Sequence, residues 1–245
     1  MIRVSDLVHY LLCPRIVFYE RRGLKYEPRT DPARAARKAA ALALAGGSVR
    51  LAAGAGAGMP VAPERAARSV LPRPPEERER ALESLRSALG PEARAALEGW
   101  SPEALAGLSP AREVQALLES ERLGLRGEVD KIGEREGTEV PVLVRATEPP
   151  PSGAWRSDRA ALAACSMLLE ENRRKAVTRG VVEYVGSLPP AVREVRITGY
   201  DRNLVRALLD RVRRIGPRRP GRPWRAPCAS CNFYALCFPK GRRML

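Results

Sequence analysis

Apolar positions recur along this chain with two different periods, and the change from one to the other divides it. Residues 5 to 20 read as a helix capped by Ser5, interrupted at Cys13-Pro14 and continued by an aromatic stretch. From Thr30 to about Ala111 the sequence is Ala-rich and broken by Gly and Pro. There Ala81, Leu82, Leu85 and Leu89 fall on one face of a helix over 75–89, and Pro91 and Ser101-Pro102 open short helices. Beyond this helical insertion the texture becomes that of strands: Gly127–Ile132, Val140–Val144, Gly180–Val185 and Val192–Ile197. Between the second and third strand lies a helix over 158–171, whose middle, Ala160 to Leu169, is apolar enough to be buried. A last helix over 201–215 places Leu204, Leu208, Val212 and Ile215 on one face and Arg202, Arg206 and Arg213 on others. The order predicts an α/β fold, a mixed sheet flanked by helices. Its segments are 1–29, the insertion 30–111, a core 112–215 and a tail 216–245.

Charge changes the picture next. The chain of 245 residues carries 43 Lys and Arg against 28 Asp and Glu, a net +15, and only Lys25, Lys38, Lys131, Lys175 and Lys240 of the basic residues are lysine. Arginine presents a planar fork to phosphate oxygens, so the surplus points to a polyanionic partner, although Arg, Ala, Gly and Pro also rise together in GC-rich coding sequence. Arg218, Arg219, Arg222 and Arg225 stand among prolines in an extended basic linker. With Arg211, Arg213 and Arg214 of the last helix they are expected to contact phosphates, Trp224 stacking on a base or packing on the fold. Gly54-Ala55-Gly56-Ala57-Gly58 resembles a phosphate loop only in composition. No strand precedes it and no Lys-Ser/Thr follows, so it reads as a connection. No stretch reaches the roughly 20 apolar residues of a membrane span. The charged start, Met1 to Asp6, is unlike a secretory leader, and a cytoplasmic, membrane-free protein is expected.

The single histidine, His9, excludes Ser-His-Asp triads and multi-histidine zinc sites for want of partners. The five cysteines tell more. Cys228, Cys231 and Cys237 form a C-x2-C-x5-C pattern, and Cys13 is the natural fourth member. Four thiolates suit a tetrahedral zinc or an iron–sulfur cluster. One close pair with two solitary cysteines favours [4Fe–4S] over the two close pairs usual for zinc, and Phe233, Tyr234 and Phe238 would shield a cluster from water. Cys165, inside the apolar helix, reads as a packing residue.

Taken together, Tyr10-Leu11-Leu12-Cys13-Pro14-Arg15, Gly127-Glu128-Val129-Asp130, the Pro141-Val142-x-Val144 strand, the helix ending Leu168-Leu169-Glu170-Glu171 and the final C-x2-C-x5-C resemble the CRISPR-associated RecB-like exonucleases. These are iron–sulfur members of the PD-(D/E)xK nuclease superfamily. The likeness covers about residues 1–25 and 112–240. It implies a nuclease fold, a [4Fe–4S] cluster on Cys13, Cys228, Cys231 and Cys237, Mg²⁺ or Mn²⁺ at the active site, DNA as substrate, and work alongside spacer-integration proteins in antiviral adaptation. Of the family's metal-site pattern Asp130 is present. The Glu-x-Lys position holds Leu143-Val144-Arg145, the Gln-x-x-x-Tyr position spans Ala161 to Cys165, and no histidine is available.

Phosphodiester hydrolysis needs a metal held by carboxylates and a cation beside the nucleophile. Leu143 supplies no ligand, and Arg145 can bind a phosphate but not release a proton. Glu128, two residues from Asp130 on a strand and so roughly 7 Å away on the same side, is the remaining carboxylate in reach. Three readings follow: a DNA-binding protein of nuclease ancestry with weak or no catalysis, a metal-dependent exonuclease using Asp130, Glu128 and Arg145, or a zinc-stabilised nucleic-acid-binding module.

Overall fold

The computed structural model describes residues 1–27, 32–45 and 75–238. The Gly54 to Gly58 connection and the end of the tail from Pro239 lie outside the described residues.

One mixed sheet organises the chain. Its strands are β1 (Ile2–Arg3), β2 (Glu113–Ser120), β3 (Leu125–Arg135), β4 (Thr138–Arg145), β5 (Arg179–Tyr184) and β6 (Ala191–Arg196), in the order β1-β3-β4-β5-β6 with β2 also paired to β3. Most neighbours are antiparallel hairpin partners. The parallel β4–β5 pair requires a crossover, and α6 (Arg156–Arg173) provides it. The other helices are α1 (Val4–Leu12), α2 (Pro14–Glu20), α3 (Pro32–Leu44), α4 (Pro75–Ala88), α5 (Pro91–Ala95), α7 (Gly199–Arg213) and the single turn α8 (Tyr234–Cys237). The expected strands and the helices over 75–89, 158–171 and 201–215 are all present within a few residues. β1, β2 and α3 are additional.

Two local expectations are corrected. Ser5 does not cap the first helix: Arg3 holds the N-cap position, and its backbone N–H donates to Asp6 Oδ2 at 2.8 Å, so Ser5 lies within the first turn. Ser101-Pro102 opens a run of turns rather than a helix.

One core packs α1, α6 and α7 onto the sheet, with Leu162, Leu168, Val182, Tyr184, Val205 and Leu208 all essentially inaccessible. Each such apolar side chain stabilises the fold by roughly 1.5–3 kcal/mol. Two glycines set how close the helices lie. A Cβ at Gly127 would stand 2.5 Å from Val4 Cγ2, and one at Gly180 would stand 2.7 Å from Leu162 Cγ. A second core joins α3, α4 and the segment from Ala93 to Ala111 to Val114, Val144 and Val185 of the sheet region. Beside it lies a fully buried ion pair between Lys131 of β3 and Glu183 of β5, at 2.5 Å. Ser109 serves both partners: its carbonyl accepts from Lys131 Nζ (3.1 Å) and its N–H donates to Glu183 Oε1 (2.6 Å).

Candidate functional site

Asp130 sits where the β3 ladder is interrupted. Pairing with β2 runs through Val129 opposite Ala116 and resumes at Lys131 opposite Val114, skipping Gln115, whose φ is 54°. Leu125 and Val129 share their core with Ile132, so the inward set shifts by one residue here without a bulge: one residue of each strand, Gln115 and Asp130, leaves the ladder, and the register is the same on both sides. The shift separates the two carboxylates that strict alternation would place together. Asp130 is buried, whereas Glu128, opposite Leu117, is exposed.

What surrounds Asp130 is cationic. Lys38 of α3 approaches Oδ1 at 2.6 Å; Arg145, the last residue of β4, donates from Nη1 to Oδ2 at 3.1 Å; and the Val144 N–H donates to Oδ2 at 2.9 Å. Arg145 also donates from Nε to Oδ1 of Asp158 (2.9 Å) in the first turn of α6, and Tyr184 donates its hydroxyl proton to the other oxygen of Asp158 (2.9 Å). Burial would raise the Asp130 carboxyl, but the charges of Lys38 and Arg145 and the hydrogen bonds from Lys38 and Val144 outweigh it, so it stays below its usual range. Tyr184 is pushed up, by burial first and then by Asp158.

The other positions that the resemblance singles out are apolar. Leu143, Ala161 and Cys165 belong to the hydrophobic core, and burial pushes the Cys165 thiol up to about 12, consistent with a packing role. These residues do not fit a catalytic divalent ion: Leu143 has no donor atom, and the two buried carboxylates already hold two side-chain cations. Among the described residues no group of three His, Cys, Asp or Glu is arranged to hold a single ion. Lys38 was not expected here. Its one sequence signal is its rarity, a lysine in a chain whose basic residues are nearly all arginine.

Four of the five cysteines lie around one cavity. Cys13, between α1 and α2, and Cys228, Cys231 and Cys237 border one cavity with Ile16, Tyr19 and Phe233. All five cysteines of the chain are free thiols. Burial raises the Cys13 and Cys231 thiols, as do the neighbouring cysteines, while Arg15 lowers Cys13. Rings close the lobe: Tyr19 and Phe233 lie 5.1 Å apart, and His9 meets Tyr26 edge-on at 5.0 Å. His9 also bonds Glu20 at 2.9 Å through Nδ1, away from Asp130 and its partners. Four thiols around one cavity are the donor type of an iron–sulfur cluster or zinc, although among the described residues they are not grouped as the ligands of one ion would be.

Between α7 and this lobe the chain is irregular, with bends and a turn, and it is strapped to α2 and the residues that follow it. Arg21, Arg22 and Arg15 donate to the carbonyls of Ile215 (3.1 Å), Pro217 (2.9 Å) and Pro220 (2.9 Å). Arg211, Arg213, Arg214, Arg218, Arg219, Arg222 and Arg225 are all exposed, and Trp224 is 90% exposed, which excludes a packing role for it. Arg213, Arg219 and Arg222 make local contacts, with Leu123 O, Leu236 O and Cys228 Sγ. Among the described residues no helix is long and apolar enough to cross a membrane.

No protein-family profile matches the chain. Over 143 residues it is 32% identical to the CRISPR-associated exonuclease Cas4/endonuclease Cas1 fusion of Myxococcus xanthus (strain DK1622), covering 54% of this chain and 24% of that protein. The chain thus spans about a quarter of that relative's length. Among solved structures it is similar to a candidate exonuclease from Eubacterium rectale (TM-score 0.35, 11% identity, 68% of this chain and 71% of that one). It is also similar to the protein SSO0001 (TM-score 0.35, 13% identity, 95% and 97%).

Proposed function

We propose that this chain is a CRISPR-associated protein of RecB-like nuclease ancestry that binds DNA during spacer acquisition and cuts it weakly or not at all. The observation that carries the reading is the state of Asp130: its charge is met by Lys38 and Arg145, and Leu143 stands where a second metal ligand is needed. A nuclease must present carboxylates to a divalent ion that then faces the scissile phosphate. Here side chains meet that charge. The partial likeness to the Myxococcus xanthus fusion supports the CRISPR context, including spacer-integration proteins as partners, and the exposed arginines and Trp224 of the linker support binding to DNA.

In the same reading Cys13, Cys228, Cys231 and Cys237 hold a [4Fe–4S] cluster, with zinc as the alternative. When bound, the group supplies a cross-link between the α1–α2 junction and the tail. The protein's own contribution is to exclude water with Tyr19, Phe233 and Phe238 and to set Arg15 and Arg222 beside the sulfurs. Iron, sulfide and zinc analysis of anaerobically purified protein separates the two.

The test of function is an assay on single-stranded and end-frayed duplex DNA with Mg²⁺ or Mn²⁺, with Asp130→Ala as control. DNA binding without metal-dependent degradation is expected. Degradation that disappears in Asp130→Ala overturns the reading and makes Asp130 part of a working site.

A further inference from the structure

The Asp130 network has an inner and an outer side. Side-chain exposure is 9% for Asp130 and 11% for Asp158, but 25% for Arg145 and 38% for Lys38. The carboxylates are therefore the floor and the cations the face toward solvent, the reverse of a metal site, in which carboxylates face the ion. The floor is well occupied: Asp130 accepts three donors and Asp158 two. The cations are not. An ammonium has three N–H groups, of which Lys38 directs one toward Asp130. The hydrogen bonds of Arg145 within the described residues run from Nε and Nη1, leaving Nη2.

We infer that Lys38 and Arg145, fixed from below by Asp130 and Asp158, form a metal-independent seat for one tetrahedral oxyanion, the phosphodiester group of a DNA strand. The chemistry follows from the donors left over. A guanidinium edge and a neighbouring ammonium match phosphate oxygens, the first by planar geometry and the second as a point charge. Because their partners are buried carboxylates on β3 and α6, both cations are held in place before the ligand arrives, which lowers the ordering cost of binding. The seat also joins the two halves of the protein, because Lys38 belongs to α3 and the other three residues to the sheet and its crossover helix. The DNA source of the phosphate rests on the proposed function. The seat itself does not.

Two arms separate these claims. The first is thermal denaturation of the whole protein with inorganic phosphate or with chloride at matched ionic strength, in EDTA. Phosphate is expected to raise the melting temperature of the wild type and of Lys38→Arg but not of Lys38→Gln, each compared with its own melting point in chloride. The second is fluorescence anisotropy with a single-stranded oligonucleotide. Binding is expected to be unchanged between EDTA and Mg²⁺, and Lys38→Gln is expected to weaken it about 5- to 10-fold while lowering the salt slope by about 1. Stabilisation by phosphate without any DNA binding would keep the seat and remove the DNA reading. DNA binding that needs Mg²⁺, or phosphate and DNA responses identical in wild type and Lys38→Gln, would overturn the seat. Arg145→Lys, which keeps the charge but not the planar fork, guards against a folding defect in the first variant: it should retain part of the phosphate response, and a full response would show that Arg145 takes no part.

Discussion

The cysteine lobe and the Asp130 network are both clusters of metal-donor residue types, yet their surroundings differ. Around the four thiols the walls are mostly aromatic and aliphatic, with Arg15 beside Cys13, a weak contact from Arg222 to Cys228 (3.8 Å) and one between Cys237 and the Tyr19 hydroxyl (3.8 Å). Around Asp130 two cations and a backbone N–H already answer the charge. A donor is available to a metal only when nothing in the protein has claimed it. The pairing of each donor, more than its identity, decides what a site can hold.

Stability measurements tell the two regions apart. If the lobe depends on its metal centre, Cys228→Ser with Cys237→Ser should abolish bound iron, expose the tail to protease and lower the melting temperature by roughly 10 °C or more. Retention of the wild-type melting point would show that the rings alone hold the lobe. For the buried pair, Lys131→Met should cost about 3–5 kcal/mol in chemical denaturation by stranding Glu183. Adding Glu183→Leu should recover much of that loss. Gly180→Val should cost about 1–3 kcal/mol through its collision with Leu162, again read by denaturant titration.

Acid sensitivity tests the Asp130 network directly. Its carboxyl is held below the usual range, so the stability it contributes is present above the ordinary carboxylate value of about 3.9 and is lost as pH falls through the lower folded value. Asp130→Asn should flatten this part of the acid unfolding curve, and an unchanged curve would mean that Lys38 and Arg145 do not stabilise the anion. At the small end, replacing Arg211, Arg214, Arg218 and Arg225 together by Gln should change stability by no more than about 0.5 kcal/mol per site. It should still weaken oligonucleotide binding and flatten its salt dependence. Unaltered binding would move the DNA surface away from the linker.

Much of the fold was legible because the residues that build it are strongly periodic. Val140 to Val144, Gly180 to Val185 and the apolar stretch of α6 leave little choice. β2 was not legible, since Gln115 breaks its alternation with a left-handed backbone conformation, and α3 was masked by an alanine-rich composition that gives little contrast between faces. That Cys13 would lie beside the tail cysteines was readable because thiols are scarce and their spacing is informative. The Asp130 site was readable only in part. Leu143 and Arg145 depart from the pattern that the resemblance implies, but the break in the β2–β3 ladder that buries Asp130 apart from Glu128 and the approach of Lys38 from a distant helix depend on tertiary packing. Rarity was the usable clue: Lys38 and Lys131, two of only five lysines, each meet a carboxylate of the sheet.

Ser109 ties the segment before β2 to the middle of the sheet. Through its N–H and carbonyl it completes both partners of the Lys131–Glu183 pair, and its hydroxyl accepts from Arg135 at 2.6 Å. A shortened protein made by excising residues 75–111 would therefore open a charged pair to an unfilled gap in the interior. Such a minimal version needs Met and Leu in place of that pair before it can be trimmed, and any descendant that dispenses with the segment has to lose the charges first.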